Sequence, residues 1–199
     1  LIRRNLNCPP LSATSVYRVI RAKSMYNIDI ANNQSLLEVD EALLHDVITK
    51  TLSAEQAIGA EISVALVDDV TIHELNKRHL QHDYPTDVIS FLFDCEQEDA
   101  KETRFFEQTG LLKAHDTPNQ LPRGHGKRID GEIVVSTETA LGRAEECGFS
   151  PTQELVLYVV HGLLHLLGYD DTSDPETELM RSRERAMLQL CDISPGVDS

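Results

Sequence analysis

The apolar positions of this 199-residue chain change period along its length, and those changes mark out its elements. Leu43, Leu44, Val47, Ile48 and Leu52 fall at intervals of three and four, which predicts a helix over about 40–52 with one apolar side. The stretch 61–67, Glu-Ile-Ser-Val-Ala-Leu-Val, alternates with period two and is rich in Val and Ile, the pattern of a strand. A strand at 26–31 precedes them, and Asp68 or Asp69 caps a helix running to about 79. Strands follow at 86–93 and 130–136, then helices at 137–147, 151–167 and 174–190, the last with Asp174 as N-cap and Pro175 at its first position. The order βαβαββααα, with a hairpin joining the two late strands, predicts an α+β single domain: a small mixed β-sheet packed with helices. No internal repeat is visible.

One predicted helix breaks the amphipathic pattern. Around 155–168 the chain reads Leu-Val-Leu-Tyr-Val-Val-His-Gly-Leu-Leu-His-Leu-Leu-Gly, apolar on all sides, so this helix is expected to be buried. Ser150, Pro151 and Gln153 form a capping-box start, and Gly168 is a helix stop. Within the run, His161 and His165 are four residues apart and therefore on one helix face, about 5–6 Å apart at Cβ. After Gly168 the chain turns and can bring Asp171 to the same point. Two imidazoles and a carboxylate with an open fourth position describe a catalytic rather than a structural zinc site. Asp170, next in the chain, is a competing carboxylate. The plain alternative is a pair of core histidines, but the following Gly-x-x-Asp is hard to explain that way. The spacing overlaps that of metzincin proteases, which need a glutamate directly after the first histidine as general base; here that residue is Gly162.

Beyond this motif, four blocks carry a family resemblance. His161–Asp171 (HGLLHLLGYDD) resembles the signature HGxLHLxGYDH of the YbeY family, agreeing at every fixed position but the last. LVDDVTIHELN at 66–76, PTDVISF at 85–91 and GEIVVS at 131–136 resemble further family segments, so the likeness runs from about Met25 to Leu190. The resemblance implies a zincin-like arrangement with the HxxxH metal helix packed beneath the sheet. It also implies one Zn2+ per chain, held by His161, His165 and Asp171, and a single-strand-specific endoribonuclease of small-subunit rRNA 3′-end maturation and ribosome quality control. The ion would lower the pKa of a water toward ~7 for attack on phosphorus, with Asp170 a candidate to orient it.

Two departures from the family pattern stand out. The third ligand is usually histidine in the family and is Asp171 here; the added negative charge should weaken the metal as a Lewis acid. Family members also carry a Tyr-Arg-Gly-Lys-Asp run, where this chain has His79-Leu80-Gln81-His82-Asp83. Leu80 in the arginine position cannot hold a phosphate; His82, in the lysine position, is a weaker substitute or simply a loop histidine. Residues 95–128 form an insertion longer than the family's usual connection, and Arg123, Lys127 and Arg128 at its basic end are candidates to replace the lost phosphate contact. Ser136 and Thr137 end a strand that the family packs near the metal, where they would contact substrate or cap the next helix.

The charge balance argues against free RNA as a tight ligand. The formal net charge is −15, with all 33 Asp and Glu after residue 24. Nucleic-acid-binding domains usually show a basic footprint, so affinity for naked RNA should be weak and salt-sensitive. A ribosome, or a small ribosomal subunit with its proteins, fits better as the partner. A second reading follows, a non-catalytic ribosome-assembly factor with a structural metal; a zinc metalloprotease is a third. Residues 1–24 hold Arg3, Arg4, Arg18, Arg21 and Lys23 and no acid. They are expected to be a disordered basic extension ahead of the domain at 25–192, or sequence upstream of a start at Met25; the composition faintly resembles a transit peptide. No apolar run reaches the ~18 residues of a membrane span. The four scattered cysteines have no zinc-ribbon spacing and read as free thiols in a reducing, cytoplasmic setting.

Overall fold

A computed structural model of the chain describes residues 25–97 and 122–193. The expected basic arm at 1–24 and the middle of the expected insertion, 98–121, lie outside the described residues. The elements are β1 (Tyr26–Asn32), α1 (Glu41–Ala54), β2 (Gly59–Val67), α2 (Asp69–His79), β3 (Val88–Gln97), β4 (Lys127–Ser136), α3 (Thr137–Cys147), α4 (Pro151–Leu167) and α5 (Asp174–Leu190). They form an α+β domain around one four-stranded mixed sheet of order β1-β2-β4-β3. β1 pairs parallel with β2 and β2 with β4, while β3 and β4 form the expected antiparallel pair.

The strands of that pair outrun their sequence pattern. Cys95, Glu96 and Gln97 pair with Ile129, Arg128 and Lys127, so both ends of the expected 95–128 loop are strand. These segments lack period-two alternation, but each supplies the other's backbone donors and acceptors, and that pairing overrides propensity. A register shift between Leu92 and Asp94 leaves Phe93 62% exposed. At the helix starts, the side chain of Asp68 accepts from Thr71 N–H, and Ser150 with Gln153 closes the capping box. Helix α5 has Ser173 rather than Asp174 at its N-cap.

α4 is the central helix. It touches α1, α3, α5 and the β3–β4 pair, and Val156, Val159, Val160, Leu163, Leu164 and Leu167 are wholly buried. Each such side chain contributes roughly 1.5–3 kcal/mol on burial. The helix sits very close to the sheet at Gly162: a Cβ there would lie 2.8 Å from Ile133 Cγ2 and 2.9 Å from Ser90 Oγ. The Ser90 hydroxyl donates to the Gly162 carbonyl at 3.0 Å. On the opposite sheet face α2 covers one end only, packing Ile72 on Val67, Ile89 and Val134.

Candidate metal centre

The contact at Gly162 sets the rotation of α4. With residue 162 against the sheet, the neighbouring His161 and, one turn on, His165 lie on the side facing α5 and the 168–173 turn. Both are partly buried, and their Nε2 atoms face each other at 3.0 Å. Each Nδ1 is separately held. That of His161 lies 2.6 Å from Glu184 Oε1 on α5, and that of His165 lies 3.1 Å from the Tyr169 carbonyl. These acceptors fix the proton of each ring on Nδ1 and leave the Nε2 lone pairs to converge. Gly168, at φ 100°, turns the chain back in a conformation that a side chain would strain. Asp171 follows, with Oδ2 3.9 Å from His161 Nε2 and Oδ1 4.0 Å from His165 Nε2.

Ligand atoms of His161, His165 and Asp171 all lie within 4.8 Å of one another, and among the described residues theirs is the one cluster suited to a metal ion. Tetrahedral zinc with ~2.1 Å bonds sets its ligand atoms roughly 3.4 Å apart, so small side-chain shifts reach that geometry. The donor set, with a carboxylate and a carbonyl behind the imidazoles, fits a divalent ion of zinc type. Without one, burial alone would depress the His161 pKa. The hydrogen bond that His161 donates to Glu184 and the charges of Glu184, Asp171 and Asp87 outweigh it, and the pKa lies above the ordinary histidine value.

The 168–171 turn is anchored from distant parts of the chain. Tyr169 is buried, and its hydroxyl donates to Glu55 Oε2 at 2.9 Å. Glu55, at the C-cap of α1, is fully buried, and its other oxygen accepts from Arg183 Nε at 2.9 Å. Burial and the Glu55 charge push the Tyr169 hydroxyl up to about 12, so it remains a donor. Lys127 Nζ donates to the Leu167 carbonyl at 2.7 Å. Arg123 donates to the Gly168 carbonyl at 2.9 Å, pairs with Glu176 and lies over the Tyr169 ring.

These contacts change the reading of several expected substrate residues. Arg123 and Lys127 each donate to one of the last carbonyls of α4, the negative end of its dipole, and Arg123 also donates to Glu176. Arg128 is exposed, but it shares a groove with Glu61, Asp94, Glu96 and Asp130, whose field repels a phosphate. Ser136 is wholly buried: it donates to Asp69 and accepts from Thr139 N–H, so it takes the second of its two expected roles and caps α3. Asp170 is exposed beside the cluster, but its oxygens accept from Asp171 N–H and Thr172 Oγ1, bonds that hold its carboxyl below the usual range. It shapes the turn. His82 is exposed and stacks on Tyr84 with ring centroids 5.3 Å apart.

Sequence reasoning missed Glu184, Glu55 and Arg183. A signal existed: Glu184 and Arg183 interrupt the Met180–Met187–Leu188 stripe of α5, and Glu55 continues the Ile48–Leu52 stripe of α1. Polar residues on a buried stripe call for partners.

Fold and site together define a class, α+β proteins carrying a candidate His-His-carboxylate metal centre on a buried HxxxH helix. Comparison with known proteins narrows it. The family model described as Endoribonuclease YbeY matches residues 29–192. An Endoribonuclease YbeY of Carboxydothermus hydrogenoformans is 33% identical over 83% of this chain and 97% of its own length. That of Rhodopirellula baltica is 35% identical over 79% of this chain and 67% of its own, and that of Desulfitobacterium hafniense 39% identical over 69% and 74%. The solution structure of TM1509 from Thermotoga maritima aligns with a TM-score of 0.48 at 23% identity, covering 87% of this chain and 96% of that one. This chain belongs to the YbeY family.

Proposed function

We propose that the protein is a divalent-metal-dependent endoribonuclease, with zinc as the expected ion and single-stranded rRNA at the 3′ end of the small-subunit RNA as substrate. The observation that carries this reading is the convergence of two Nε2 lone pairs whose opposite nitrogens are held by Glu184 and the Tyr169 carbonyl. A structural site usually closes its coordination with four protein ligands; among the described residues three are gathered here, and Asp171 is nearly half exposed. When bound, the ion supplies Lewis acidity and lowers the pKa of a water toward neutrality. The chain's part is to orient the imidazoles through Glu184 and Tyr169 and to fix the Asp171 turn through Asp170 and through Thr177, whose hydroxyl donates to the Asp171 carbonyl. The relatives' name supports RNA as substrate. A protease finds no support, because Gly162 has no space for the required glutamate.

A second reading, a ribosome-assembly factor without catalysis, is favoured by three features. Arg123 and Lys127 are committed to α4, Leu80 stands where the family has arginine, and the net charge is −15. Either way the expected partner is the small ribosomal subunit, which would supply affinity that the acidic surface does not. No helix among the described residues is long and apolar enough to cross a membrane. The deciding experiment is cleavage of a labelled single-stranded RNA spanning the small-subunit rRNA 3′ end, with and without chelator, beside His165→Ala purified identically. Cleavage lost on chelation and in the variant establishes the nuclease. Equal cleavage, or none, in both proteins favours the assembly factor, with ribosomal particles as the next substrate.

A further inference from the structure

A fully buried carboxylate is costly unless hydrogen-bonded and paired, and an apolar replacement is often as stable or more so. Glu55 is such a group, and stability alone does not account for it. Its partners are specific. Oε2 accepts from the Tyr169 hydroxyl, and Oε1 accepts from Arg183. Tyr169 is held at both ends, because its backbone carbonyl is the acceptor facing His165 Nδ1 at 3.1 Å. Arg183 adjoins Glu184, the residue that holds His161 Nδ1 at 2.6 Å. One carboxylate at the C-cap of α1 thus holds Tyr169, whose carbonyl faces His165, and Arg183, the neighbour on α5 of the residue that faces His161.

We propose that Glu55 is a positioning residue of the metal centre, acting through Tyr169 on His165 and through Arg183 on the α5 segment that carries Glu184. The inference rests on the metal-centre reading above. Glu55 never touches the ion. It restricts the ring orientations and the turn so that the donor atoms converge before the ion arrives, which reduces the ordering cost of binding.

The test uses the full chain with Zn2+ alone as probe, in wild type, Tyr169→Phe and Glu55→Gln. Tyr169→Phe removes a single hydroxyl, keeps the ring and leaves the Glu55–Arg183 pair. Zinc dissociation constants come from competition with a chromophoric chelator, and Tm is read with and without zinc. Partners behind metal ligands typically contribute about 10–100-fold in affinity; here, one bond further out, about tenfold weakening is expected in each variant, with a smaller zinc-induced rise in Tm. A purely structural residue would lower both Tm values alike and leave the rise unchanged. Zinc affinity equal to wild type in Tyr169→Phe overturns the proposal, and that variant decides alone if Glu55→Gln does not fold. Absence of zinc binding by wild type overturns the metal-centre reading and this inference with it, an outcome distinct from intact wild-type binding with unaffected variants.

Discussion

Helices α2 and α4 both end in turns rich in charge, yet the two ends are held in opposite ways. After α4, the carbonyls of Leu167 and Gly168 accept from Lys127 and Arg123, and Tyr169 is tied to buried Glu55. The contacts come from α1, α5 and the start of β4, elements far apart in sequence. After α2, the 80–87 loop is tied mainly back to its own helix: Asp83 takes Lys77 and His73 at 2.9 Å, all exposed, and Asn76 Nδ2 donates to the Tyr84 carbonyl. Exposed pairs are screened by water and salt and order little. The α4 turn is therefore fixed by contacts from distant elements, whereas the α2 loop is held mainly by exposed contacts with its own helix.

Ways to break this contrast can be ranked by expected effect. The largest should come from His165→Ala: zinc affinity falls by more than the ~100-fold ceiling typical of an outer partner, and the zinc-induced rise in Tm disappears in a thermal melt. Next, Gly162→Ala forces a methyl to within 2.8 Å of Ile133. Overpacking of this kind costs about 1–3 kcal/mol, and the ~0.5–1 kcal/mol gained in helix propensity only partly offsets it. Denaturant unfolding should show a net loss, and increased stability would mean that α4 is less tightly seated than its contacts indicate. Glu184→Gln should weaken zinc binding by about 10–100-fold in chelator competition and leave the fold intact.

A pH series sharpens the same contrast more gently. The folded-state pKa of His161 lies above the unfolded value of ~6.5. Its contribution to metal-free stability is then fully present below about pH 6.5 and is lost as pH rises through the raised value. With chelator present, Tm of wild type should fall across that window relative to His161→Asn. With zinc, the proton must leave before the ion binds, so the zinc-induced rise in Tm should grow with pH instead. The smallest effect is expected at the α2 loop: Asp83→Asn should leave both Tm and zinc affinity unchanged within error, and a loss of zinc affinity would show that the loop is coupled to the centre.

What was legible in the chain is what repeats or lies close in sequence. The element order, the hairpin, the buried character of α4 and the His161–His165–Asp171 set follow from period, caps and short spacing, because an α-helix brings i and i+4 together in any tertiary context. The ends of β3 and β4 did not follow. Cys95–Gln97 and 127–129 have no strand pattern of their own and become strand by pairing with each other. The basic run at 123–128 read as a phosphate site because charge in a sequence has no address; tertiary structure turned Arg123 and Lys127 toward the end of α4.

Sequence by itself determined the family resemblance, the α+β order and the candidate ligands, since each is read from contiguous blocks, each within one element or turn. Only the tertiary structure decided which groups stand behind those ligands. Glu55 lies 114 residues from Tyr169 and 128 from Arg183, and Glu184 lies 23 from His161. A polar residue's distant partner leaves no periodicity for a sequence to show. The pair is chosen when the chain collapses and the burial of one charge requires the nearest complementary group to satisfy it.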